Sequence, residues 1–372
     1  MGRTEVQLTV RTAASPESTL RETLLKTAIT ELFGIRYPIM NAGMGRVALP
    51  KLVAAVSNAG GLGVLGCGSG APELTRKYIQ QIRALTDKPF GGNAPLALPN
   101  GKENVKVMLE EQVPVINYSM GKGDWIVEAA RKYGGKVMAS VDSLKLAKSA
   151  QKHGADAVVA TGYEAAGHSG EVTTFVLVPR LLEVIDIPII VAGGVGNGTS
   201  IVGALALGAS GVWMGTRFLY TKESPMHDNW KEYGSKLDIT DTVRSDKFDG
   251  IPCRQMISPR TLEIVNARVG VNPFKVFLES FGVARELQIP YLKLFTDVIR
   301  KGPKETIAMM RMAQMLEAHT VTLTTGDLKK GSTASGQSVG LIHDVPTVAE
   351  VFERLLAEIE EARIRFDSVF AS

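Results

Sequence analysis

Two cysteines in 372 residues, Cys67 and Cys253, are too few and too far apart for a disulfide framework. Neither belongs to a CxxC pair or lies beside a histidine cluster in the sequence, so a reducing compartment and no metal site are expected. No run approaches the ~20 apolar residues needed to cross a bilayer, and the opening MGRTEVQLTVRTAASPESTLRE is too polar for a signal-peptide core. These absences predict a cytoplasmic protein with no membrane partner, its residues 1–28 a flexible extension. Basic and acidic residues number 42 and 38 and are scattered, and aromatics make up only 6%. Without a basic block or an aromatic-studded stripe, no nucleic-acid partner is expected.

What the chain does have is rhythm. From about residue 35, short β-rich runs alternate with amphipathic stretches of helical period, the signature of repeated βα units. Eight strands are predicted, over 37–43, 62–68, 89–96, 113–120, 136–141, 157–165, 188–195 and 211–219. They are continuous apolar runs such as Ile189, Ile190 and Val191, as expected of parallel strands covered on both faces. Prolines near helix starts (Pro50, Pro72) and glycines at helix ends (Gly60, Gly134, Gly154) fit the same reading. Eight consecutive units favour an α/β fold of the (β/α)8 TIM-barrel class over 29–222. Beyond it the rhythm breaks. Residues 223–337 read as a mainly helical region inserted after the eighth strand, with PFKVFLESF and IPYLKLFTDVI placed to cover the barrel mouth. Residues 338–372 read as a segment and amphipathic helix packing back on the barrel.

Glycine motifs need sorting. Gly61-Leu62-Gly63-Val64-Leu65-Gly66 matches GxGxxG, but it follows a helix and opens a strand, the reverse of a dinucleotide fingerprint, and reads as packing glycines. Gly167-His168-Ser169-Gly170-Glu171 falls short of a nucleophile elbow at its fifth residue. The turn Gly193-Gly194-Val195-Gly196-Asn197-Gly198 after the seventh strand and Met214-Gly215-Thr216 after the eighth are neighbours in a barrel. There, backbone N–H groups and a helix N-terminus can converge on a phosphate. His168, among small residues at the end of the sixth strand, is the candidate proton-exchanging group, and Asn93 at the end of the third could hydrogen-bond a heteroaromatic ring. His153, His227, His319 and His343 suggest no metal spacing.

The segments PIMNAGM, LVAAVSNAGGLGVL, LTDKPFGGN, GYEAAGHSG, PIIVAGGV, ALALGASGVWMGTRF, ESPMH and GQSVGLIHDVPTVAEV together resemble the nitronate monooxygenases, formerly 2-nitropropane dioxygenases, and their flavin-barrel relatives. The resemblance implies an oxidoreductase with FMN across the barrel mouth. It further implies contacts to FMN from Ala42, Gly43, Met44, Asn93, Gly167, Gly193, Gly194, Gly215 and Thr216, and His168 as catalytic acid/base. It implies a nitronate or nitroalkane and O2 as partners, with a carbonyl compound and nitrite as products, and leaves a homodimer open. Some members carry an acidic residue where this chain has Thr161 and a lysine near Met138 to Ser140. NAD(P)H-dependent relatives on the same fold, enoyl-ACP reductases and NADH:quinone reductases, share the glycines and the histidine and form the alternative.

Overall fold

The structure is a computed structural model, and it describes residues 25–68, 70–266 and 303–370. Within it the predicted rhythm is realised as eight parallel strands: β1 (Ile39–Asn41), β2 (Gly63–Gly66), β3 (Phe90–Pro95), β4 (Val115–Ser119), β5 (Lys136–Val141), β6 (Ala157–Thr161), β8 (Ile189–Ala192) and β9 (Gly211–Met214). Neighbours follow the order β1-β9-β8-β6-β5-β4-β3-β2, and a bridge between Met40 and Leu62 joins the two ends into a nearly closed barrel. The fold is the (β/α)8 barrel.

Burial explains the closure. Met40, Leu62, Val64, Val115, Met138, Val159 and Ile190 form a single buried cluster inside the barrel, while the outward-facing strand residues pack under the surrounding helices. The helix α1 (Ala28–Phe33) puts Ile29 and Phe33 into that interior cluster and so plugs one end; Thr27 caps it by accepting from the Thr30 amide. The GxGxxG glycines do what packing glycines do. A Cβ on Gly61 would lie 2.7 Å from Phe352 Cζ, and one on Gly63 or Gly66 would overlap the Val53 or Met44 carbonyl.

Two predicted strands run furthest past their observed ends. The sixth ends at Thr161 and the eighth at Met214, where Gly215 leads into the helical turn Thr216–Leu219. The larger difference lies outside the barrel. A three-stranded antiparallel sheet forms from β7 (Gly167–His168), β10 (Thr242–Ser245) and β11 (Cys253–Met256), with β11 central. Strands had not been expected there, because β11 reads Cys-Arg-Gln-Met and carries no apolar signal, yet all four residues are buried by their two neighbours. PFKVFLESF and IPYLKLFTDVI lie outside the described residues. The last long helix (Val348–Phe370) packs on the barrel through Val351, Phe352, Leu355 and Ile359.

Candidate active site

Seven of the eight barrel strands, all but β2, bring their C-terminal ends to one cleft of about 470 Å³. Its wall contains Ala42, Gly43, Met44, Asn93, Gly167, His168, Gly193, Gly215 and Thr216, so nine of the ten residues singled out from sequence meet around one space. Gly194 is the exception: it adjoins the wall without lining it, and a Cβ there would sit 3.9 Å from Glu164, ordinary contact.

One side of the cleft includes two glycines, Gly193 and Gly215, where no side chain covers the backbone. The parallel register of β8 with β9 sets Ala192 beside Trp213, so the turns that follow emerge side by side. Gly193 has φ +108°, and a Cβ there would lie 3.0 Å from the Ala165 nitrogen, so only glycine fits both backbone and space. The Ala42 amide donates to the Met214 carbonyl at 3.0 Å, tying the turn after β1 to the same wall. One expected element is absent. The N-terminus of the helix Gly198–Ala206 is capped by Asn197 through Ser200, and its Gly198 amide donates to Glu358 at 2.6 Å. A carboxylate of the chain's own C-terminal helix thus occupies the position where an anion was expected, leaving the glycine turns to face the cleft.

Beside this wall, Asn93 and Thr216 are held by polar partners that the sequence did not point to. The Asn93 amide donates to the Asn117 carbonyl oxygen, which also accepts from Ser140 Oγ at 3.1 Å. With one amide N–H engaged, Asn93 keeps its second N–H and its carbonyl oxygen for the cleft. Thr216 Oγ1 accepts from the Gly336 amide at 3.0 Å, which draws Thr333, Ala334 and Ser338 to the rim. Glu164 also reaches the cleft, but its carboxylate accepts from the Thr174 amide and hydroxyl at 3.0 Å and is committed to that helix start.

His168, beside these turns on the cleft wall, is held by side chains that lie behind it. His168 pairs with Cys253 across β7 and β11, and its Nε2 lies 2.7 Å from Asp249 Oδ2. A carboxylate can only accept, so Nε2 carries a proton, and in the neutral ring Nδ1 holds the lone pair. Asp249 is held in turn by the Ile251 amide, which donates to its other oxygen at 3.1 Å. Two arginines fix the loop that carries His168. Arg254 donates to the Tyr163 carbonyl at 3.0 Å and Arg244 to the Ser169 carbonyl at 2.9 Å, and their guanidinium carbons lie 4.7 and 5.3 Å from the Tyr163 ring centroid.

Neither cysteine is placed to act as a nucleophile. Burial pushes the thiols of Cys67 and Cys253 up to about 12, for Cys253 with the Asp249 carboxylate adding to the effect. The inference that no histidine neighbours a cysteine holds only along the chain, since folding sets Cys253 opposite His168. Among the other histidines, His227 caps a helix by accepting from the Asn229 amide, and His153 closes another.

The profile of the family described as nitronate monooxygenase matches residues 26–104 and 93–358. The chain belongs to the nitronate monooxygenase family. Its relatives span several oxidoreductases. A hydroxy-methyl-oxo-octahydroindene carboxyl-CoA dehydrogenase of Rhodococcus jostii is 33% identical over 341 residues, covering 90% of this chain and 96% of the relative. The structure of FabK from Thermotoga maritima superposes with a TM-score of 0.77 at 34% identity, covering 93% of this chain and 99% of that one. A nitroalkane oxidase from Streptomyces ansochromogenes superposes with a TM-score of 0.71 at 25% identity, covering 91% of this chain and 100% of that one. This family member is therefore an oxidoreductase, and no helix among its described residues is long and apolar enough to cross a membrane.

Proposed function

We propose that this chain is an FMN-dependent oxidoreductase in which His168 exchanges a proton with a carbon next to a strongly electron-withdrawing group. The observation that carries the reading is His168 on the wall of the cleft, paired behind it with Asp249. The residues present fit the cofactor. The volume falls in the ~300–1,000 Å³ range of small-molecule sites, and Gly193 and Gly215 leave main chain exposed where a phosphate would approach. In this reading Gly193, Gly215 and Thr216 hold the phosphate, Ala42, Gly43 and Met44 lie along the ring, and Asn93 accepts from a ring N–H. When bound, FMN supplies the electron transfer. The chain supplies the rest: a glycine-lined wall against the phosphate, and a histidine whose tautomer is set by Asp249 so that Nδ1 can take the substrate's proton.

Acyl thioesters and nitroalkanes are both carbon acids of this kind, and we infer that thioesters are the natural class. A second hollow of about 870 Å³ adjoins the cleft and shares Gly43, Asn93, Pro95, Leu98 and His319 with it. Arg46 and Lys77 line it together with a single acid, Glu73, a net positive lining suited to a long substrate arm that carries negative charge. A nitronate of a few carbons would leave it unused, and the match to a carboxyl-CoA dehydrogenase over nearly its whole length supports the same choice. The second reading, oxidation of nitronates with O2 to a carbonyl compound and nitrite, is supported by the family profile and the nitroalkane oxidase fold. One pair of titrations separates them. Anaerobic bleaching of the bound flavin by NADH, NADPH or a saturated acyl-CoA supports the thioester class; nitrite release with oxygen uptake on adding an alkyl nitronate supports the other. A protein that purifies without flavin and takes up none would sink both.

A further inference from the structure

We propose that His168, Asp249 and Cys253 form a binding site for one Zn²⁺-type ion, and that its occupancy switches off proton exchange at His168. The three donor atoms, an imidazole nitrogen, a carboxylate oxygen and a thiol sulfur, all lie within 4.8 Å of one another. Topology puts them there. His168 and Cys253 are directly opposed across β7 and β11, so their side chains share a face of the sheet, and Asp249 enters from the turn leading into β11. A tetrahedral zinc ion holds its ligands about 3.3–3.8 Å apart, within reach by side-chain rotation alone. Mixed N, O and S donors suit a borderline-soft cation and disfavour Mg²⁺ or Ca²⁺, which take oxygen ligands.

Supporting contacts around the donors are in place. Gln255 Nε2 donates to Cys253 Sγ at 3.1 Å, and the Ile251 amide holds the second Asp249 oxygen, the kind of outer contact that orients metal ligands. The His168 side chain is 39% exposed, which leaves a fourth position for water. The proton count closes. Coordination at Nε2 displaces its proton to Nδ1, the thiol releases one proton to solvent, and two anionic ligands neutralise the ion. Nδ1 then has no lone pair to offer. Metal binding is independent of the proposed function, whereas the loss of turnover rests on it.

The experiment uses the flavin-loaded protein, with Zn²⁺ alone for calorimetry and Cd²⁺ alone for its ultraviolet thiolate-to-metal absorption. One ion per chain is expected in the unaltered protein, with turnover lost on saturation. Cys253→Ala should bind at least tenfold more weakly, lose the cadmium absorption, and keep its flavin and its metal-free turnover. Cys253→Ser serves the same purpose should the alanine variant fail to fold. Undiminished affinity in the folded variant, or no binding at all, overturns the site. Cysteine-dependent binding that leaves turnover untouched upholds the site and overturns the role assigned to His168.

Discussion

The wall of the cleft made by the turns after β8 and β9 opens main chain to the cleft at Gly193 and Gly215 and is held in place by parallel register. The neighbouring stretch at β7 presents a side chain, His168, which Asp249, Arg244 and Arg254 of the β10–β11 hairpin hold from behind. The first wall belongs to the barrel and is suited to gripping a cofactor. The second is added to it and is suited to chemistry. Damage to one wall should therefore leave the other's property intact.

The sharpest break is at the histidine. His168→Ala should lose roughly 10²–10⁴-fold in turnover while the purified protein stays as yellow as the parent, because the imidazole contributes proton transfer and no phosphate contact. Steady-state rates beside the flavin-to-protein absorbance ratio check this; a colourless variant would put His168 on the cofactor's wall. Next comes Asp249→Asn. The carboxylate accepts from both His168 and the Ile251 amide, and a carboxamide can accept with only one oxygen. Turnover should fall roughly tenfold to a hundredfold through loss of the set tautomer, with flavin content unchanged and a displaced pH–rate profile. An unmoved profile would reduce Asp249 to a structural contact.

The two walls also differ in how far they could be read from sequence. All eight barrel strands were legible because buried parallel strands are apolar runs bounded by glycine, as in Ile189–Ala192. The glycine wall followed, since residues at adjacent strand ends become neighbours once the barrel is assumed. The hairpin wall was not legible beyond His168. Asp249 lies 81 residues from its partner, and β11 buries Arg254 and Gln255 with no periodic pattern to mark a strand. Capping of the helix Gly198–Ala206 by Glu358 was hidden for the same reason, as 160 residues separate the two groups.

The smallest expected effect tests the main-chain wall against itself. Gly193 and Gly194 are adjacent, both have positive φ, and they look equivalent in a sequence that reads Ala-Gly-Gly-Val. Only Gly193 lines the cleft, with a Cβ position 3.0 Å from the Ala165 nitrogen, whereas a Cβ on Gly194 meets nothing closer than 3.9 Å. Gly193→Val should cut flavin retention at least tenfold, because the wall must move to admit the side chain. Gly194→Ala pays only for its left-handed backbone, about 1–2 kcal/mol, a shift of a few degrees in Tm for a chain of this size. Its flavin content should match the parent's under equilibrium dialysis. Equal flavin loss in both variants would mean that the phosphate is gripped by the whole turn, and the distinction drawn between the two glycines would fall.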